Sequence, residues 1–185
     1  MIEDILFDVE ERMEKAIVSL RSDLMSIRTG RASPALLERI RVEAYGTVVP
    51  LNQVATIAVP EPRLLAIRPW DVSTISAIEK AILKSDLGLT PNNDGKIIRL
   101  AIPALTDERR RDLVKIVNRR VEEARVAIRN LRREAMKEMG DLQKRKEISE
   151  DVFYQGKEDL QELTNTYIES AGQVGEKKQA EIMEL

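Results

Sequence analysis

Arg111, Arg125, Arg129 and Arg132 are separated by fourteen, four and three residues, which at 100° per residue places them on one flank of a helix. Asn118 shares that flank, Arg133 and Lys115 lie just beyond it, and Glu122 is the only nearby acid. A guanidinium is planar, stays protonated and donates two parallel hydrogen bonds, so a row of them is suited to phosphate and hence to a nucleic-acid backbone. The opposite flank mixes Glu123, Asn130, Glu134, Lys137 and Glu138, as a merely solvated face does. Residues 105 to 146 hold 14 Lys or Arg against 8 acids, whereas residues 147 to 185 hold 3 against 10. The net charge of −2 therefore conceals one basic segment followed by an acidic one. A second reading remains open at this point, in which the basic flank is neutralised by acids of the segment that follows.

Other chemistry is sparse. The chain has no Cys and no His, which removes disulfides, thiolate nucleophiles, most zinc sites and the usual general base at neutral pH. Gly88 to Gly95 superficially resembles a phosphate loop, but six residues separate the glycines where four are needed, and Ile97 stands where a metal-binding hydroxyl would be. Asn92, Asn93 and Asp94 lack the first acid and the distal glutamate of a calcium loop, so they are read as a tight turn. No metal, cofactor or catalytic residue is expected.

The arginine row requires a long helix to carry it. After a cap at Thr106, Leu113, Val117, Val121, Ala124, Ile128, Leu131, Ala135, Met139 and Leu142 continue without a proline, predicting a helix roughly 60 Å long at 1.5 Å per residue. Ser149, followed by Glu150 and Asp151, opens a third helix whose buried side is marked by Phe153, Leu160, Leu163, Tyr167 and Val174. Near the start, Leu6, Val9, Met13, Ala16, Leu20, Leu24 and Ile27 form one helix face, ended by Gly30. Ser33 and Pro34 then favour a short helix.

Between residues 39 and 104 the pattern changes to β-rich runs, IRVEAY, VATIAV, LLAIRPW and KIIRLAIP, with one helix at about 73 to 84. The fold class expected is α+β: an elongated three-helix bundle from residues 1–30 and 105–185, with a small β/α/β domain, residues 31–104, inserted between the first two helices. Two chain crossings, at Gly30-Arg31 and Pro103-Ala104, could then bend while each part stays rigid. Phe7, Phe153 and Tyr167 fall on bundle faces and Tyr45 and Trp70 in strands, so all five are read as core or half-core. With no rings left for base stacking, the nucleic acid expected is folded RNA, recognised by backbone and shape. No stretch approaches a membrane span, and the acidic start MIEDILFDVEERMEK is unlike a signal peptide, so the expected location is the cytoplasm.

Four runs, in order along the chain, carry a resemblance. Arg28-Thr29-Gly30-Arg31-Ala32-Ser33-Pro34, Ser85-Asp86-Leu87-Gly88-Leu89-Thr90-Pro91, Leu105-Thr106-Asp107-Glu108-Arg109-Arg110 and Ala124 through Arg133 closely resemble the ribosome recycling factor family, and Lys146 to Asp151 is similar to it too. The resemblance implies an L-shaped, non-enzymatic monomer that binds the post-termination ribosome and, with elongation factor G and GTP, splits it so that mRNA and deacylated tRNA leave. It also implies that Arg28, Arg31, Arg129 and Arg132 contact large-subunit rRNA, and that Gly30 with Pro103, Ala104 and Leu105 forms a hinge on which the inserted domain swings. Glu134 and Met136 depart from the family's more usual Asp and Asn. Gly140, Gly156, Gly172 and Gly175 fall inside expected helices, where each costs roughly 1 kcal/mol relative to Ala.

Overall fold

The computed structural model describes residues 1–27 and 29–184. Its contacts divide into two compact units, one comprising Met1–Leu24 with Val114–Leu185, the other Met25–Leu113. Among the described residues no helix is long and apolar enough to cross a membrane.

The first unit is built from α1 (Ile2–Met25), most of α3 (Asp107–Lys144) and α4 (Glu150–Met183). Acids in the first turn of each helix oppose the positive end of its dipole. The expected caps form: Thr106 Oγ1 accepts from Arg109 N–H at 3.1 Å, and Ser149 Oγ accepts from Val152 N–H at 3.2 Å. Between α3 and α4, Lys146 takes a left-handed φ of 61° while Lys146 N–H and Glu147 N–H donate to the Gln143 and Leu142 carbonyls, closing a Schellman turn. On α1 the buried row is Val9, Met13, Ile17, Leu20 and Leu24, so Ile17 joins the predicted face.

On α4 the core differs from the sequence expectation. Leu160 is buried, but Phe153, Leu163, Tyr167 and Val174 are only half-buried, and the innermost row is Gly156, Leu160, Thr164, Ala171, Gly175 and Ile182. Small residues occupy the line where helices approach most closely. A Cβ on Gly156 would lie 3.2 Å from Ile2 Cγ2, and one on Gly175 only 2.5 Å from Val121 Cγ2. These two glycines therefore set the helix spacing, and their low helix propensity is offset by close packing. Gly140, by contrast, has nothing within 4 Å of the place a methyl group would occupy. The buried Thr164 hydroxyl is satisfied by donating to the Leu160 carbonyl at 2.8 Å.

In the second unit, β3 (Ala55–Glu61), β4 (Leu64–Pro69), β6 (Ile98–Ala101) and β5 (Asn92–Asn93) form an antiparallel sheet in the order β3-β4-β6-β5. A separate hairpin joins β1 (Arg41–Ala44) to β2 (Thr47–Pro50) through Tyr45 and Gly46, whose φ values of 53° and 78° are those of a type I′ turn. Helix α2 (Ile75–Lys84) buries Ile75, Ile78 and Ile82 in a core shared with Leu37, Val42, Leu51, Leu65, Ile67, Ile98 and Leu100. The tight turn expected at Asn92 to Gly95 lies two residues later, at Asp94 to Ile97, because Asn92 and Asn93 pair with β6 as β5. Asp94 Oδ1 accepts from Lys96 and Ile97 N–H, and its other oxygen accepts from Arg99 at 2.8 Å. The Arg99 bond above all, then the two backbone bonds, hold its carboxyl well below the usual carboxylate range.

Three aromatic expectations are corrected. Phe7 is 68% exposed, Tyr45 75% and Trp70 68%. Tyr45 is carried outward by the hairpin turn, with its hydroxyl on Asp71 at 2.8 Å, and Trp70 Nε1–H donates to Thr56 Oγ1 at 3.0 Å. Position in or beside a strand does not bury a ring when the strand's outer face has nothing packed on it.

Candidate RNA-binding face

Of the predicted phosphate-binding residues, Arg111, Arg125, Arg129, Arg132 and Arg133 all lie on α3, Arg31 is exposed in the second unit, and Arg28 lies outside the described residues. The five on α3 are not equivalent. Arg129 Nη1 is 3.0 Å from Glu122 Oε1, so the single acid near the row neutralises it in part. Arg132 donates through Nε to Gln161 Oε1 at 2.9 Å, and Arg133 through Nη1 to Asn130 Oδ1 at 3.2 Å. Both accept no charge in return. Arg125 is half-buried with its Nε in no hydrogen bond, and its Nη2 would lie 2.8 Å from a Cβ on Gly172. Arg111 remains exposed.

The reading in which acids of the third helix neutralise this flank is not realised at these residues. The ion pairs of Arg110 with Asp107, Arg120 with Glu123 and Arg129 with Glu122 all stay within α3. Helix α4 meets the flank through neutral groups instead: Gln161 at Arg132, the bare backbone of Gly172 at Arg125, and Gln179, which donates to Asn118. On the mixed flank, Glu134 pairs with Arg12 of α1 at 3.1 Å. One side of α3 is thus charge-balanced and the other keeps a positive excess.

Gln161, Gly172 and Gln179 were not legible as parts of the site. Amides on an acidic helix look like solvated filler, and the one usable signal, a glycine inside a helix, reads first as a weakness. Gly30 and Leu105, two of the five residues expected at the hinge, are neighbours: a Cβ on Gly30 (φ +83°) would sit 3.4 Å from Leu105 Cγ.

Fold and site define a helical-bundle protein with an inserted antiparallel β/α unit and an arginine-rich helix face. Residues 20–183 match the family model described as Ribosome recycling factor, and the chain belongs to the ribosome recycling factor family. It is 55% identical to the ribosome-recycling factor of Roseiflexus castenholzii and 54% identical to that of Carboxydothermus hydrogenoformans, in each case over 100% of both chains. A solution structure of the ribosome recycling factor superposes with a TM-score of 0.84 at 43% identity, covering 100% of this chain and 98% of that one. A second similar structure, TM-score 0.68 at 45% identity over 99% of each chain, is a T. thermophilus ribosome recycling factor described with E. coli elongation factor G bound to the E. coli post-termination complex.

Proposed function

We propose that this chain docks on the rRNA of the large ribosomal subunit through the positive flank of α3, and that the inserted unit then swings while elongation factor G hydrolyses GTP, parting the subunits and freeing mRNA and deacylated tRNA. It acts in the cytoplasm as a monomer and catalyses no reaction itself, because the only bond cleavage in the cycle belongs to the GTPase. Arg125, Arg129 and Arg132 make the central phosphate contacts, and Arg28, Arg31, Arg111 and Arg133 also contact RNA. The observation that carries this reading is the flank of α3 whose partners on α4 are uncharged.

The hinge at Gly30-Arg31 and Pro103-Leu105 has its own support. Ala32 N–H donates to the Pro62 carbonyl at 2.7 Å and Ile102 N–H to the Arg63 carbonyl at 2.8 Å. Both chain crossings are therefore fastened, immediately inside the hinge residues, to the same two-residue turn between β3 and β4. Freedom to bend is confined to the few residues outside those bonds, among them a glycine at positive φ and a proline without an N–H.

Co-sedimentation with isolated large subunits tests the docking. Each phosphate contact releases counterions and contributes roughly 0.7 to 0.9 to the slope of log affinity against log salt. The three central contacts alone predict a loss of about 20- to 40-fold in affinity between 50 and 200 mM salt, and each further contact steepens it. A flat profile over that range would remove the arginine row from the mechanism.

A further inference from the structure

We infer that Gln161 is a positioning residue that presents Arg132 to RNA phosphate; the inference rests on the reading of α3 as the RNA-binding face. Arg132 lies one helical turn beyond Arg129 on the same flank, and the two are held in opposite ways. Arg129 gives an Nη nitrogen, part of the fork that would grip a phosphate, to the carboxylate of Glu122. Arg132 gives only Nε, and gives it to an uncharged oxygen. Its two Nη groups keep four N–H donors free of intramolecular partners, and its full positive charge is retained.

The direction of the Gln161 amide is itself fixed. Gln161 Nε2 donates to Asn165 Oδ1 at 2.8 Å, one turn further along α4. Turning the amide over would set an N–H against Arg132 Nε–H and an oxygen against the Asn165 oxygen, losing both bonds. The chain Asn165, Gln161, Arg132 thus anchors a long, rotamer-rich side chain to a second helix without discharging it. An immobilised guanidinium avoids the ordering cost that a free surface arginine incurs on binding. A glutamate at 161 would reach the same place and do the opposite, taking the guanidinium into an ion pair.

The test compares full-length wild type, Arg132→Ala, Gln161→Glu and Gln161→Ala for binding to isolated large subunits across a salt series, with thermal melting of each. Gln161→Glu is expected to weaken binding about tenfold, the scale of one charge-assisted hydrogen bond, and to lower the salt slope by about one phosphate contact, matching Arg132→Ala on both counts. Gln161→Ala keeps the charge and loses only the orientation. It should weaken binding about two- to tenfold, the scale of ordering one long side chain, with the salt slope unchanged. All four proteins should melt within a few degrees of one another, because both side chains are on the surface. If Arg132→Ala weakens binding but Gln161→Glu binds like wild type, Gln161 positions nothing and the inference falls alone. If Arg132→Ala also binds like wild type, the RNA-binding reading of Arg132 falls and takes this one with it. A Gln161→Glu variant that binds weakly with an unchanged slope, or that melts far below wild type, would mark Gln161 as a structural residue and likewise overturn the proposal.

Discussion

Locking the hinge with a disulfide is expected to abolish ribosome splitting while leaving binding intact. The chain is free of cysteine, so one Cys placed in the bundle and one in the inserted unit would pair only with each other, at positions chosen to bring their Cα atoms within about 4.4 to 6.8 Å. The proposed central docking groups Arg125, Arg129 and Arg132 lie on α3, and their neighbours Gln161 and Gly172 lie on α4, so oxidation should leave them where they are. What it should remove is rotation at the proposed hinge, Gly30-Arg31 and Pro103-Leu105. Splitting in the presence of elongation factor G and GTP should fall to the background rate in the oxidised protein and return on reduction. Splitting by the oxidised protein at the unlocked rate would show that interdomain motion is not the working step.

The second large effect is on stability, at Gly175. Replacement by Ala would ordinarily stabilise a helix interior by about 1 kcal/mol. Here the new methyl would lie 2.5 Å from Val121 Cγ2, on a buried, β-branched side chain that has one favoured rotamer in a helix and little room to turn. Overpacking of this kind typically costs about 1 to 3 kcal/mol, and with the neighbour so constrained we expect the upper part of that range. Gly175→Ala should therefore melt several degrees below wild type, at about 2 to 4 °C per kcal/mol for a chain of this size. Adding Val121→Ala should recover part of the loss, so the double variant is more stable than the sum of the singles by about 1 kcal/mol or more. Gly140→Ala is the control: with open space at that position it should raise the melting temperature. A Gly175→Ala protein at least as stable as wild type, additive with Val121→Ala, would mean the helices do not rely on that approach.

That pair of glycines shows where sequence reading succeeds and where it stops. Helix ends are announced by local chemistry, so Thr106, Ser149 and the Ser33-Pro34 pair were legible: each cap is a contact between residues two or three apart. The apolar rows of α1 and α3 were legible because large side chains repeat at helical spacing. The inner row of α4 was not, because its packing is done by Gly156, Thr164, Ala171 and Gly175, and periodicity of large apolar residues points to their flanks instead. β2 escaped notice because it is four residues long with its apolar positions outward or half-buried, and β5 is only two residues held by its turn. For the candidate face, α3 alone revealed the arginines. Arg129 is partly neutralised by Glu122 of α3 itself, the acid already visible beside the row. Whether Arg125 and Arg132 keep their charge depends on what α4 brings opposite, and that pairing between distant residues is written in no local pattern.

The division of the chain also has a consequence for synthesis. α1 is made first, yet everything that covers Val9, Met13, Ile17, Leu20 and Leu24 within its unit lies at residue 114 or beyond. The intervening 89 residues, 25 to 113, take roughly 5 to 20 s to translate at typical rates. They form a unit whose core is complete within itself, so it can fold while the first helix still waits with its apolar stripe uncovered. The newborn chain therefore passes through a state in which its middle is finished and its beginning is not, and that helix is a natural client for whatever shields nascent apolar segments at the exit of the very machine this protein serves.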